Sequence, residues 1–104
     1  MTLKIVNTYE FQRMRNIKQL GFCYLVYPAA MHSRFEHSLG VYHLAGKMLD
    51  RIIQLYPNKK YLIPELNSEP ISLTKKIIEC IKIGALCHDI GHGPFSHIFD
   101  NVLS

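Results

Sequence analysis

Between Ser33 and Tyr56 the apolar residues Phe35, Leu39, Tyr42, Met48, Leu49, Ile52 and Leu55 recur at spacings of three, four and seven, which marks one face of a helix. Ser33 precedes this run and Glu36 lies three residues on, so the sequence predicts a helix opened by a capping box. A second long helix is predicted from Ser72 to Ile90, with Ile77, Ile81, Gly84, Ala85 and His88 on one stripe. Ser72 or Thr74 would cap it and Gly91 would stop it. Upstream, Thr8 to Ile17 reads as a shorter amphipathic helix with Phe11, Met14 and Ile17 facing inward, ended by Gly21. The run Phe22 to Tyr27 is aromatic and β-branched and is closed by Pro28, which predicts extended structure one short strand long. Pro94 is placed to start a last helix, in which Phe95, Ile98, Phe99 and Val102 repeat at helical spacing. The segment 57–70, with its three prolines, reads as a surface linker between the long helices. These elements make an all-α fold of four or five helices with little or no sheet.

Composition narrows the class further. At 104 residues the chain is one domain at most. It is 48% hydrophobic, yet charged residues and histidines interrupt every apolar run well short of the ~20 residues a membrane span needs. No secretory pattern opens the sequence, so the expected compartment is the cytoplasm or nucleus, with no membrane partner. Three cysteines, Cys23, Cys80 and Cys87, with no CxxC spacing point to reduced thiols rather than a disulfide framework or a thiolate zinc site. Cys80 and Cys87 lie seven apart and are expected in the core, as are Tyr24 and Tyr27 as its cover. A net charge of +4 does not by itself indicate nucleic acid, and the pairs Lys59–Lys60 and Lys75–Lys76 read as solvated surface.

Six histidines change the picture: His32, His37, His43, His88, His92 and His97. His88 and Asp89 end the second predicted helix, where neighbouring side chains diverge by about 100° and can both reach an ion beside the helix end. Beyond them GHGPFSH places His92 and His97 past a glycine-flanked turn that lets backbone approach an anion. His37 sits on the first turn of the first long helix, and packing of this helix against the second would bring it beside His88 and Asp89. Two imidazoles and a carboxylate suit Zn²⁺, Mn²⁺, Fe or Ni²⁺ better than Mg²⁺, which prefers oxygen shells and is more at home on substrate phosphates. His32 and His43 have no such partners and read as solvent-facing or core-edge.

The strings FQRMRNIKQLG (11–21), HSRFEHSLGVYHLAG (32–46) and LCHDIGHGPFSHIFD (86–100) resemble, in order, the signature blocks of the HD-domain deoxynucleoside triphosphate triphosphohydrolases. Among these they are most similar to the eukaryotic members that join a SAM domain to the HD domain. The resemblance implies an all-helical HD core and a metal-dependent phosphohydrolase that cleaves a deoxynucleoside triphosphate to the deoxynucleoside and inorganic triphosphate. It makes His37, His88 and Asp89 metal ligands and puts the family's last ligand, an aspartate, beyond Ser104. Residues 1–104 are accordingly expected to be the N-terminal part of an HD domain, a fragment or truncated product of a larger enzyme.

The same resemblance assigns the remaining roles. Arg34 matches a residue on the triphosphate, where a forked guanidinium makes paired bonds that lysine cannot. His92 matches a phosphate contact, and His97 the catalytic histidine, with Asp100 three residues on to orient its imidazole or raise its pKa. Gln19 and Leu20 match contacts to the deoxyribose, the former to its 3′-hydroxyl. Gln12 and Arg15 match a guanine-nucleotide regulatory site, in which Asn7 replaces an acidic residue that reads the guanine edge. Two further readings remain open: another HD phosphodiesterase or nucleotidase, and a non-catalytic nucleotide-binding or assembly module. Apolar helix faces cut from a larger enzyme also predict self-association into a homo-oligomer.

Overall fold

A computed structural model of the chain describes residues 1–66, 69–94 and 101–102. Four helices run in order through it: α1 (Thr2–Val6), α2 (Tyr9–Gln12), α3 (Arg34–Leu55) and α4 (Lys75–Cys87). A two-residue antiparallel pair, β1 (Lys60–Tyr61) and β2 (Ile71–Ser72), with Lys60 opposite Ser72 and Tyr61 opposite Ile71, is its sheet. The fold is helical, as the apolar periodicity requires. No helix among the described residues is long and apolar enough to cross a membrane.

Local side chains set the helix starts. Thr8 accepts a hydrogen bond from Phe11 N at 3.3 Å to cap α2, and Thr74 accepts from Ile77 N at 3.4 Å to cap α4. Of the two candidate caps for α4, Thr74 is therefore the one used, while Ser72 lies in β2. At α3 the Ser33–Glu36 capping box forms, and Glu36 Oε1 accepts from Ser33 N at 2.9 Å and from Ser33 Oγ at 3.1 Å. The Ser33 backbone N–H, and then its hydroxyl, hold the Glu36 pKa below the ordinary 4.5. A depressed carboxylate pKa gives stability that is complete above the ordinary value and lost as pH falls through the lowered one. Glu36→Gln is thus expected to flatten the acid side of a urea-midpoint-against-pH curve, and an unchanged acid limb would remove this role.

The core gathers where the N-terminal segment crosses the two long helices: Phe11, Met14, Ile17, Phe35 and Leu86 are buried together. Phe11 and Phe35 meet edge to face, with ring centroids 5.4 Å apart. Helices α3 and α4 run antiparallel, His37 meeting His88 at one end while Lys82 lies over the Tyr42 ring at 4.9 Å further along. A methyl at Gly46 would sit 3.3 Å from the Lys82 stem, so this glycine permits the close approach.

Several sequence expectations give way here. Thr8 to Ile17 is not one helix: α2 tightens into a 3₁₀ turn at Arg13–Asn16, though Phe11, Met14 and Ile17 all face inward as expected. Phe22 to Tyr27 is not extended; Gly21–Leu25 forms a 3₁₀ turn entered through Gly21 at φ 57°. With no neighbouring strand among the described residues its backbone bonds locally instead, Tyr27 N to Cys23 O at 2.8 Å among them, and Tyr27 is exposed rather than covering the core. Helix α4 is shorter than predicted at both ends and turned by about one residue. Of the predicted stripe Ile77 and Ala85 are half-buried while Ile81 and Gly84 are exposed, and Lys82 and Leu86 meet α3 instead, because apolar residues flank this helix on both sides and periodicity alone does not choose between them. Cys80 is exposed for the same reason, and Cys87 reaches the core because it lies at the end of α4 that the N-terminal segment covers. In α3, Phe35 and Leu49 are buried as expected, but Leu39, Met48 and Leu55 are exposed, and Arg34 and Ser38 are buried in their place. Most of the helix predicted from Pro94 falls on residues 95–100, outside the described residues, while Asn101 and Val102 are helical.

Candidate functional site

Backbone pairing brings the segments of the site together. Arg34 N donates to Ile17 O at 2.8 Å and Gln19 N to His32 O at 3.0 Å, around an isolated bridge between Lys18 and Ser33. This pairing lays the first signature block against the start of α3. Arg34 and His37, three apart on the first turn of α3, then share a face that looks toward the end of α4.

There His37, His88 and Asp89 bring one donor atom each to within 4.8 Å of one another. His37 Nε2 lies 3.3 Å from His88 Nε2 and 3.6 Å from Asp89 Oδ2, and His88 Nε2 lies 3.3 Å from the same oxygen. Donors held about 2.0–2.2 Å from an ion stand about 3.0–3.5 Å from each other, which is close to this spacing. His88 Nδ1 is 2.7 Å from Ala85 O. With that nitrogen donating its proton to the carbonyl, Nε2 presents a lone pair inward, the arrangement by which a second contact fixes a ligand's tautomer. Lone pairs this close repel unless a proton or a cation lies among them. The donor set therefore fits a divalent metal of the imidazole-binding kind.

Beside it lies a buried cation. The Arg34 side chain is 2% exposed, and Nη1 donates to Asp89 Oδ2 at 3.0 Å. Among the described residues, Arg34 Nε and Nη2 have no hydrogen-bond partner, and neither has the buried Gln19 Oε1. Buried donors are rarely left unmatched, and a guanidinium with two open donors beside a candidate cation site can receive an oxyanion. Asp89 thus faces both ways, as a candidate ligand and as the counter-charge of Arg34.

The other predicted residues are placed less directly. His92 is half-buried, with Nδ1 2.8 Å from Gly93 O. Gln19 is half-buried and Leu20 is 46% exposed, both next to the Lys18–Ser33 bridge. Gln12 and Arg15 are bonded to each other, Arg15 Nε to Gln12 Oε1 at 2.7 Å, and the Arg15 guanidinium stacks 3.8 Å over the Phe35 ring. His97 and Asp100 lie outside the described residues. His32 and His43 are exposed. Sequence reasoning passed over Arg13, whose Nη2 donates to Ile90 O at 2.8 Å and His92 O at 2.9 Å. Its place inside a signature block was the available signal.

The chain matches known proteins over most of its length. The profile described as HD domain matches residues 34–103. A putative HD domain-containing protein of Acanthamoeba polyphaga mimivirus is 64% identical over 103 residues, covering 99% of this chain and 22% of that protein. The deoxynucleoside triphosphate triphosphohydrolase of Danio rerio is 45% identical over 102 residues, and that of Homo sapiens 43% over 100, covering 98% and 96% of this chain. The chain spans 14% of the length of each of these two enzymes.

Proposed function

The chain belongs to the HD domain family, and on that premise we propose that it contributes the metal- and phosphate-binding part of a deoxynucleoside triphosphate triphosphohydrolase, as the names of its vertebrate relatives suggest. One observation carries the reading: two imidazole nitrogens converge on an oxygen of Asp89 to make three metal-type donors, and that oxygen also holds a buried arginine with donors unmatched among the described residues. His37, His88 and Asp89 would hold a divalent ion, Zn²⁺, Mn²⁺, Fe or Ni²⁺ by donor chemistry. Bound there, such an ion supplies Lewis acidity to a phosphoryl oxygen. Arg34 binds triphosphate oxygens through its free donors, and His92 adds a contact from the turn after α4. Gln19 accepts from the sugar 3′-hydroxyl through the buried oxygen that lacks a partner among the described residues, and Leu20 packs on the sugar. His97, with Asp100 to orient it, gives a proton to the 5′-oxygen as the Pα–O5′ bond breaks and a water oxygen bonds to Pα, the water's proton passing to solvent. Gln12 and Arg15 would form a guanine-nucleotide regulatory contact, weakened by Asn7.

The test is product analysis with each deoxynucleoside triphosphate and the metal-loaded chain. Release of deoxynucleoside and intact inorganic triphosphate supports the reading. Release of phosphate or pyrophosphate places the cleavage at another bond, and binding without turnover makes the chain a nucleotide-binding module. Arg34→Lys keeps the charge but loses the fork. It is expected to weaken binding of inorganic tripolyphosphate by about 10- to 100-fold in calorimetry, the effect of losing a charge-assisted hydrogen bond. Equal binding by the lysine variant would show that Arg34 serves Asp89 alone.

A further inference from the structure

Arg13 reaches across the fold to the turn that follows α4, and we infer that it is a positioning residue that sets the His92 imidazole independently of the metal ligands. This rests on the reading of His92 as a phosphate contact. The turn's internal bonds are short-range, Ile90 N to Cys87 O at 3.1 Å and His92 N to Asp89 O at 2.9 Å. Such i to i+3 bonds leave the carbonyls of Ile90 and His92 pointing outward. Both are collected by one guanidinium nitrogen, Arg13 Nη2, at 2.8 and 2.9 Å, from 77 and 79 residues away. Charge-assisted bonds of this length are among the stronger ones available to a backbone carbonyl. The base of the clamp is fixed, because Phe11 and Met14 on either side of Arg13 are fully buried.

His88 and Asp89 are held by different means. They follow directly on α4, whose Leu86 is fully buried, and Asp89 is tied to Arg34 and His88 to Ala85 O. His92 lies beyond that support, and its Nδ1 bonds Gly93 O, so a displaced turn carries the ring with it. Loss of the clamp should therefore move His92 while sparing the three-donor cluster. Lysine at this position has donors enough for both carbonyls on its one nitrogen, but its shorter stem would hold them less closely.

The experiment compares the parent chain with Arg13→Met, Arg13→Lys, His92→Ala and the Arg13→Met/His92→Ala double variant. Three readouts are taken: Zn²⁺ stoichiometry and affinity, the imidazole NMR signals of His92, and binding of inorganic tripolyphosphate. Arg13→Met is expected to bind Zn²⁺ like the parent, to shift the His92 signals, and to lose about tenfold in tripolyphosphate affinity. The lysine variant should fall between. The double variant should bind tripolyphosphate no more weakly than His92→Ala alone, since both changes act through one group. Unmoved His92 signals, additive losses, or loss of Zn²⁺ together with anion binding would each overturn the positioning role. If His92 moves but His92→Ala binds tripolyphosphate like the parent, the clamp stands and the phosphate assignment of His92 falls instead.

Discussion

Asp89→Ala is expected to abolish metal binding and to destabilise the fold by about 3 kcal/mol, the cost of leaving one charge of a buried pair without its partner. Both effects follow from a single oxygen. Oδ2 lies 3.3 and 3.6 Å from the two histidine nitrogens and 3.0 Å from Arg34 Nη1, whose side chain is 2% exposed. Removing the carboxylate strands that guanidinium, and it also removes the negative charge that draws a cation between the imidazoles. His88→Ala separates the two effects, because His88 is 38% exposed and is not bonded to Arg34. It should lose the metal while its urea midpoint, measured without metal, stays near that of the parent. Calorimetric metal titration and urea unfolding of both variants check this. A stability loss in His88→Ala as large as in Asp89→Ala would mean that the cluster is a structural knot rather than a ligand set.

Phe11→Ala is expected to destabilise by about 3–5 kcal/mol, the range for truncating a fully buried phenylalanine. Phe11 has no exposed surface and packs on Phe35, the residue after Arg34, while Met14, Ile17 and Leu86 complete the cluster. For a domain of this size such a loss is a large share of the whole stability. Because the same cluster backs both the first turn of α3 and the end of α4, metal affinity should fall along with stability. Urea unfolding read beside metal titration measures both. A large stability loss with unchanged metal affinity would show that the N-terminal segment is not what holds the two ligand-bearing helix ends in register.

The parts of the site legible in the sequence were those fixed by local chemistry. His37 follows a capping box that fixes where α3 begins, so its position on the first turn could be read directly, and it meets His88 and Asp89 as expected. Burial of Arg34 was less visible, since an arginine one residue past a cap reads as surface until the charge that meets it, 55 residues on, is known. Arg13 was missed because its acceptors are backbone carbonyls, which carry no side-chain signature. The run Phe22 to Tyr27 folds as a 3₁₀ turn despite its β-propensity, because that propensity describes fit to a sheet and the two strands among the described residues pair with each other. Helix α4 was turned by a residue because its apolar positions occupy more than one face, so packing against α3, through Lys82 on Tyr42, decides which face is buried.

The most direct test of the central claim is elemental analysis of the chain after equilibration with Zn²⁺, Mn²⁺, Fe²⁺ or Ni²⁺ and removal of free ion, beside His37→Ala and His88→Ala. One divalent ion per chain, lost in both variants, is the predicted result. A parent chain that retains none of these ions, or variants that retain them as the parent does, would contradict the assignment of His37, His88 and Asp89 as a metal site.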